Sequence, residues 1–170
     1  MRIRIVSLVA ALLFLASAAT AQVPAPPAHL IVQTGLFQFD LNGDGYSPMM
    51  AGRLVLPIST VLMMEGSLLA ARPGQDFGET TTLLIPEAQV QLVLPFARLV
   101  PYIGLGAGAA LDLRSSEAGG RKSFATYSGS VGGKYWLRKT LGFQVEYRTR
   151  GIGSDGGAAN EFGVALLWQI

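Results

Sequence analysis

From Leu30 onward, apolar and polar residues alternate one by one rather than at helical spacing. In "LGFQVEYRTR" (141–150), Leu141, Phe143, Val145, Tyr147 and Thr149 fall on one face, against Gly142, Gln144, Glu146, Arg148 and Arg150. "PEAQVQLVL" (86–94) sets Glu87, Gln89 and Gln91 against Ala88, Val90, Leu92 and Leu94. The closing "EFGVALLWQI" sets Phe162, Val164, Leu166, Trp168 and Ile170 against Glu161, Gly163, Ala165, Leu167 and Gln169. A period of two sends successive side chains to opposite faces of a β-strand. With turn residues as boundaries, the pattern predicts eight strands, at 30–39, 49–57, 61–71, 83–94, 101–113, 123–136, 141–150 and 161–170.

The connections come in two alternating kinds. "PIST", "PFARLV" and "LRKT" are short, whereas "LNGDGYSP", "RPGQDFGETT", "RSSEAGGRK" and "GIGSDGGAAN" are long and rich in Gly, Asp and Ser. Short turns at one end and long polar loops at the other mark outer-membrane barrels, and a tilted membrane strand needs roughly 9–11 residues. The expectation is an all-β fold, an eight-stranded antiparallel up-and-down transmembrane β-barrel over 30–170. Its even strand number puts both termini on the periplasmic side. A soluble lipocalin-type barrel would alternate too, but the chain lacks a G-x-W motif after its first segment. Its aromatics also fall in two bands: Tyr102, Tyr135, Trp136, Phe143 and Trp168 near the short turns, and Phe39, Phe77, Tyr127, Tyr147 and Phe162 near the long loops. Both bands are expected to be interfacial girdles.

The first residues change the picture of where the chain goes. "MRIRIVSLVAALLFLASAATAQ" has a basic start, an apolar run too short to span a membrane, and an A-x-A site, so residues 1–21 read as a secretory signal peptide. A Pro-rich periplasmic lead-in, 22–29, follows. Arg2 and Arg4 account for the formal charge of +2, so the exported chain is neutral and nothing points to nucleic acid. There is no cysteine, which excludes disulfides and thiolate metal sites. Charged residues make up only 14% of the chain and hydrophobic residues 50%, an apolar balance for an exported soluble domain but one that suits a membrane wall.

"PYIGLGAGAALDL" (101–113) resembles the Pro-Tyr-hydrophobic-Gly-x-Gly-x-Gly strand of the small outer-membrane β-barrel family of the OmpA barrel domain, OmpX and OmpW. "GGKYWLRKTLGFQVEYR" (132–148) resembles that family's hairpin, and "FGVALLWQI" is similar to its C-terminal insertion signal. That signal normally ends in Phe or Trp; here it ends in Ile170, with Trp168 two residues before. The resemblance implies a Gram-negative-type outer membrane, contact with lipid and lipopolysaccharide, assembly through strand 161–170 by the barrel-assembly machinery, and a monomer.

The face turned from lipid supplies the candidate site. It collects Arg53, Lys134, Arg148 and Arg150, the acids Glu65, Glu87, Asp112 and Glu146, and the amides Gln33, Gln89, Gln91 and Gln144. Eight strands enclose an interior that side chains fill, and an unpaired charge there is costly. A paired polar network is therefore expected, with Gly104, Gly106 and Gly108 leaving room for longer partners from across the lumen. The alternative is a narrow porin-like channel or a conduit for small, hydrophobic molecules.

Sharper chemistry is sparse. His29 is the sole histidine, read as an interfacial or linker residue at the start of the first strand, and Ser128 and Ser130 have no histidine near them. No catalytic residue and no cofactor is predicted, and the chain reads as non-enzymatic. "FDLNGDGYSP" places Asp40, Asn42 and Asp44 in the D-x-N-x-D-G pattern of a calcium loop, but the twelfth position is Ala51 instead of a bidentate Glu. These three are a weak calcium candidate, and a tight turn is the simpler reading.

Overall fold

The computed structural model describes residues 27–39, 45–72, 82–113, 122–153 and 157–170. Eight strands run in chain order: β1 (His29–Phe39), β2 (Ser47–Pro57), β3 (Leu62–Ala71), β4 (Leu83–Val93), β5 (Leu99–Asp112), β6 (Lys122–Trp136), β7 (Leu141–Ile152) and β8 (Gly157–Gln169). Each pairs antiparallel with its neighbour in sequence, and β1 pairs with β8, from His29 opposite Gln169 to Phe39 opposite Ala159, so the barrel closes. Closure leaves no open edge, the condition a sheet must meet where no water is available to its backbone.

Burial alternates along each strand, as the sequence pattern requires. Leu30, Val32, Leu54, Leu68, Val90, Ile103, Leu105, Val145, Val164 and Leu166 are exposed on the outer wall. The charged strand residues Arg53, Glu65, Glu87, Lys134, Glu146, Arg148, Arg150 and Glu161 are all buried inside. A one-residue slip of any strand would exchange these two sets.

The strand ends correct the sequence reading in one place. β7 runs on to Ile152 and β8 starts at Gly157, so the segment read as a fourth long loop is a connection of only 153–156, with Gly153 at φ 74°. Its Gly-rich sequence looks like a loop, yet 157–160 pairs in register with 149–152. At the other end, Phe96 and Leu99 exchange backbone hydrogen bonds of 2.7 and 2.9 Å around Ala97 and Arg98, and Ala97 takes the left-handed conformation (φ 51°) that this tight turn demands.

The aromatic bands also need correction. Phe96, Tyr127, Phe143, Tyr147, Phe162 and Trp168 are exposed on the outside, and Tyr135 packs on Phe143 at 5.4 Å between ring centroids. Tyr102, however, is buried within the barrel, and Trp136 packs against the same interior cluster; Phe39 packs against the cluster at the opposite end. Phe77 lies outside the described residues.

Candidate functional site

The lumen is layered. Near the short turns, Ile31, Val55, Met63, Val93, Val100, Tyr102, Ala165 and Leu167 form an apolar layer. Near the long connections, Phe37, Met49, Leu69, Leu83, Ile85, Ala110 and Ile152 are the main members of a second. Between them lies a charged layer. The sequence pattern does not announce the two apolar layers, because β1 and β2 carry apolar residues on both faces near their ends.

Arg148 on β7 is the hub of the charged layer. Its Nη2 donates to Glu65 Oε1 at 2.9 Å and to Gln89 Oε1 at 3.3 Å, its Nε donates to Glu146 Oε1 at 3.1 Å, and its Nη1 donates to Glu87. Glu65 lies on β3, four strands from β7 around the closed ring, so this contact crosses the lumen. Arg53 Nη1 bridges Glu65 (3.1 Å) and Glu146 (2.8 Å). Tyr102 donates its hydroxyl to Glu146 Oε2 at 2.5 Å.

The rest of the layer extends from these carboxylates. Gln91 Nε2 donates to Glu65 Oε2 (2.7 Å), and Lys134 Nζ donates to Gln91 Oε1 (2.8 Å) while standing 4.9 Å above the Tyr102 ring. Arg150 binds Glu87 through Nη1 and Glu161 Oε1 through Nε (2.8 Å) and Nη2 (2.7 Å). Ser128 donates to Glu87 Oε1 at 2.9 Å, and Gln89 donates to Ser130 Oγ at 2.8 Å. Four cations and four carboxylates thus share one layer, each residue no more than 5% exposed. Charge-assisted bonds of this kind are among the stronger hydrogen bonds, and in a water-poor interior they reinforce one another.

Several predicted residues take other positions or other partners. Asp112 is half-buried at the long-connection end of β5, opposite Leu83 and Lys122 and beyond the apolar layer that contains Ala110. The carboxylate that joins Arg150 is Glu161. Alternation puts Glu161 on the inner face, but the sequence reading began β8 there and left it at a loop edge. Gly104 and Gly106 make room sideways rather than across the lumen. A Cβ on Gly106 would lie 2.7 Å from both Glu87 Oε1 and Ser128 Oγ, and one on Gly104 would lie 2.6 Å from Gln89 Cδ. The side chains of the neighbouring strands lie over these glycines.

His29 is neither interfacial nor part of a linker. It is the first residue of β1, fully buried, with Nδ1 2.7 Å from the Pro27 carbonyl and its ring edge-on to Trp136 at 5.5 Å. Gln33 and Gln144 flank Ala165 on either side of β8, and neither amide has a hydrogen-bond partner among the described residues. Asp40, Asn42 and Asp44 lie outside the described residues, as do 1–21 and most of the lead-in. An apolar groove at Gly129, lined by Leu105, Val131, Tyr147 and Thr149, opens on the outer wall.

The distinction between paired and unpaired polar groups can be measured. Arg148→Ala or Glu146→Ala strands buried partners and should lower unfolding free energy in detergent by about 3–5 kcal/mol, less where water enters the lumen. Gln144→Met removes an amide with no protein partner and should be close to neutral. Equal losses for Arg148→Ala and Gln144→Met would contradict the arrangement.

Comparisons with known proteins agree with this architecture. Residues 7–169 match the family model described as the outer membrane protein beta-barrel domain. Among solved structures, the Neisserial surface protein NspA is similar with a TM-score of 0.69 at 9% identity, covering 84% of this chain and 97% of that one. Ail, the attachment invasion locus protein of Yersinia pestis, is similar with a TM-score of 0.59 at 13% identity, covering 87% and 100%. The N-terminal barrel domain of Pseudomonas aeruginosa OprF gives 0.55 at 13% identity, covering 82% and 97%. No curated protein sequence matches the chain. With a closed eight-stranded wall, an apolar exterior and a family match spanning almost its full length, this chain belongs to the outer-membrane β-barrel domain family and is a transmembrane barrel of the Gram-negative outer membrane.

Proposed function

We propose that this chain is a structural and surface-interaction barrel without catalytic function, closed to ion flow. It spans the membrane as a monomer and presents its long connections to lipopolysaccharide and to partners outside the cell. The observation that carries this reading is the charged layer tied across the lumen from Arg148 to Glu65, with an apolar layer on each side of it. A conducting path would have to cross both apolar layers and separate ion pairs that are fully buried. In this reading both termini face the periplasm, after export by signal 1–21 and assembly through strand 161–170. One similar structure is that of Ail, the attachment invasion locus protein of Yersinia pestis, which has also been solved in complex with the heparin analogue sucrose octasulfate, and this favours a role at the surface.

In planar bilayers the refolded protein should give no stepwise ohmic conductance. Large, regular conductance steps would favour the narrow-channel reading. In the closed-barrel reading Asp40, Asn42 and Asp44 hold no calcium, so added calcium should leave the melting temperature of the barrel unchanged. Saturable micromolar binding abolished by Asp44→Asn would overturn that assignment.

A further inference from the structure

The charges outside the lumen are distributed unevenly between the two ends of the barrel. None of the chain's eleven acidic side chains lies in the short turns or beside them, whereas Arg98, Arg138 and Lys139 do. The four connections at the opposite end, together with the strand ends leading into them, hold seven acids (Asp40, Asp44, Asp76, Glu79, Asp112, Glu117 and Asp155) against four bases. The wall between them carries no charge on its outer face among the described side chains. The barrel is therefore polarised along its axis, positive at the short turns and negative at the other end.

The three cations are placed together. Trp136 donates its backbone N–H to the Arg98 carbonyl at 2.9 Å, which sets the β4–β5 turn beside the β6–β7 turn that carries Arg138 and Lys139. All three side chains are exposed, and none forms an ion pair among the described residues. Around them the outer wall carries Phe96, Tyr135, Phe143 and Trp168, with Leu99 and Leu137 also exposed. Aromatic rings of this kind settle at headgroup level, and long basic side chains keep their stems on apolar surface while the charged tips reach the headgroups.

We propose that the short-turn end is a docking surface for the phosphate headgroups of anionic phospholipids, held by Arg98, Arg138 and Lys139 above this aromatic band. The chemistry is charge complementarity at a fixed depth. The rings set the level of the barrel, and the three cations select a negative headgroup at that level. Assigning these lipids to the inner leaflet rests on the periplasmic placement of the short turns proposed above; the headgroup preference itself does not.

Trp168, exposed on the outer wall at this end, is a built-in reporter. The refolded full barrel is placed in phosphatidylcholine vesicles, and brominated phosphatidylglycerol or brominated phosphatidylcholine is added to quench it. Phosphatidylglycerol should be preferred several-fold at low salt. Each charge removed should lower that preference, because each basic side chain near the surface adds attraction to an anionic headgroup, and Arg98→Gln, Arg138→Gln and Lys139→Gln combined should bring the two lipids to parity. Heat-dependent migration in SDS serves as the check that the variant remains a closed barrel. Parity in the unaltered protein, or a preference that survives the triple substitution, overturns the proposal. The leaflet is tested separately, since the chain has no cysteine: Thr140→Cys should resist a membrane-impermeant maleimide on intact cells. Labelling there would reverse the orientation and leave the headgroup result standing.

Discussion

An eight-stranded barrel encloses little more than the side chains of its own wall. Lipid outside rejects charge, so every ionised side chain on these strands must turn inward and find its counter-charge within that narrow space. The rest of the architecture answers to this constraint. Arg148 reaches Glu65 on the far wall, Glu146 on its own strand and Glu87 on a third, while Arg53 shares the same Glu65 and Glu146 oxygens and Arg150 takes the second oxygen of Glu87 and one of Glu161. The glycines of β5 are part of the same solution, because Glu87 and Gln89 lie over positions where a Cβ would collide with them.

Buried ion networks are weak evidence for stability, since desolvation of the charges offsets much of their attraction. Their clearer contribution here is specificity of register. A slipped strand would carry Glu146, Arg148 and Arg150 into hydrocarbon and bring Val145, Tyr147 and Thr149 against the charged layer, losing both sets of contacts at once. The apolar layers at each end exclude water from the pairs, which strengthens them. A lumen built this way suits a barrel whose contacts with the world are made at its ends and on its outer wall.

Much of this was legible from a period of two. Strand number, the face of each strand and most of the charged residues follow from alternation, because membrane on one side and a packed lumen on the other leave few exceptions. The same rule places Tyr102 and Trp136 inward, sharing the parity of Gly104 and Lys134. Their nearness to the turns favoured an interfacial reading instead, and in the structure Tyr102 binds Glu146 while Trp136 meets His29. Glu161 was hidden by a misplaced strand end, since the Gly-rich segment 157–160 looks like a loop and pairs as a strand. The apolar layers were not legible, because Ile31, Met63 and Leu167 have apolar neighbours on both sides in sequence and alternation loses its contrast there.

The central claim is that side chains from opposite walls meet and close the lumen. A double-mutant cycle between Glu65 and Arg148, on β3 and β7, tests it most directly, with Glu65→Gln, Arg148→Met and the pair unfolded in detergent. The account predicts a coupling energy of about 1–3 kcal/mol, in the range found for residues in direct contact. Additive losses, with coupling near zero, would mean that the two walls do not touch and that the lumen is open at its middle.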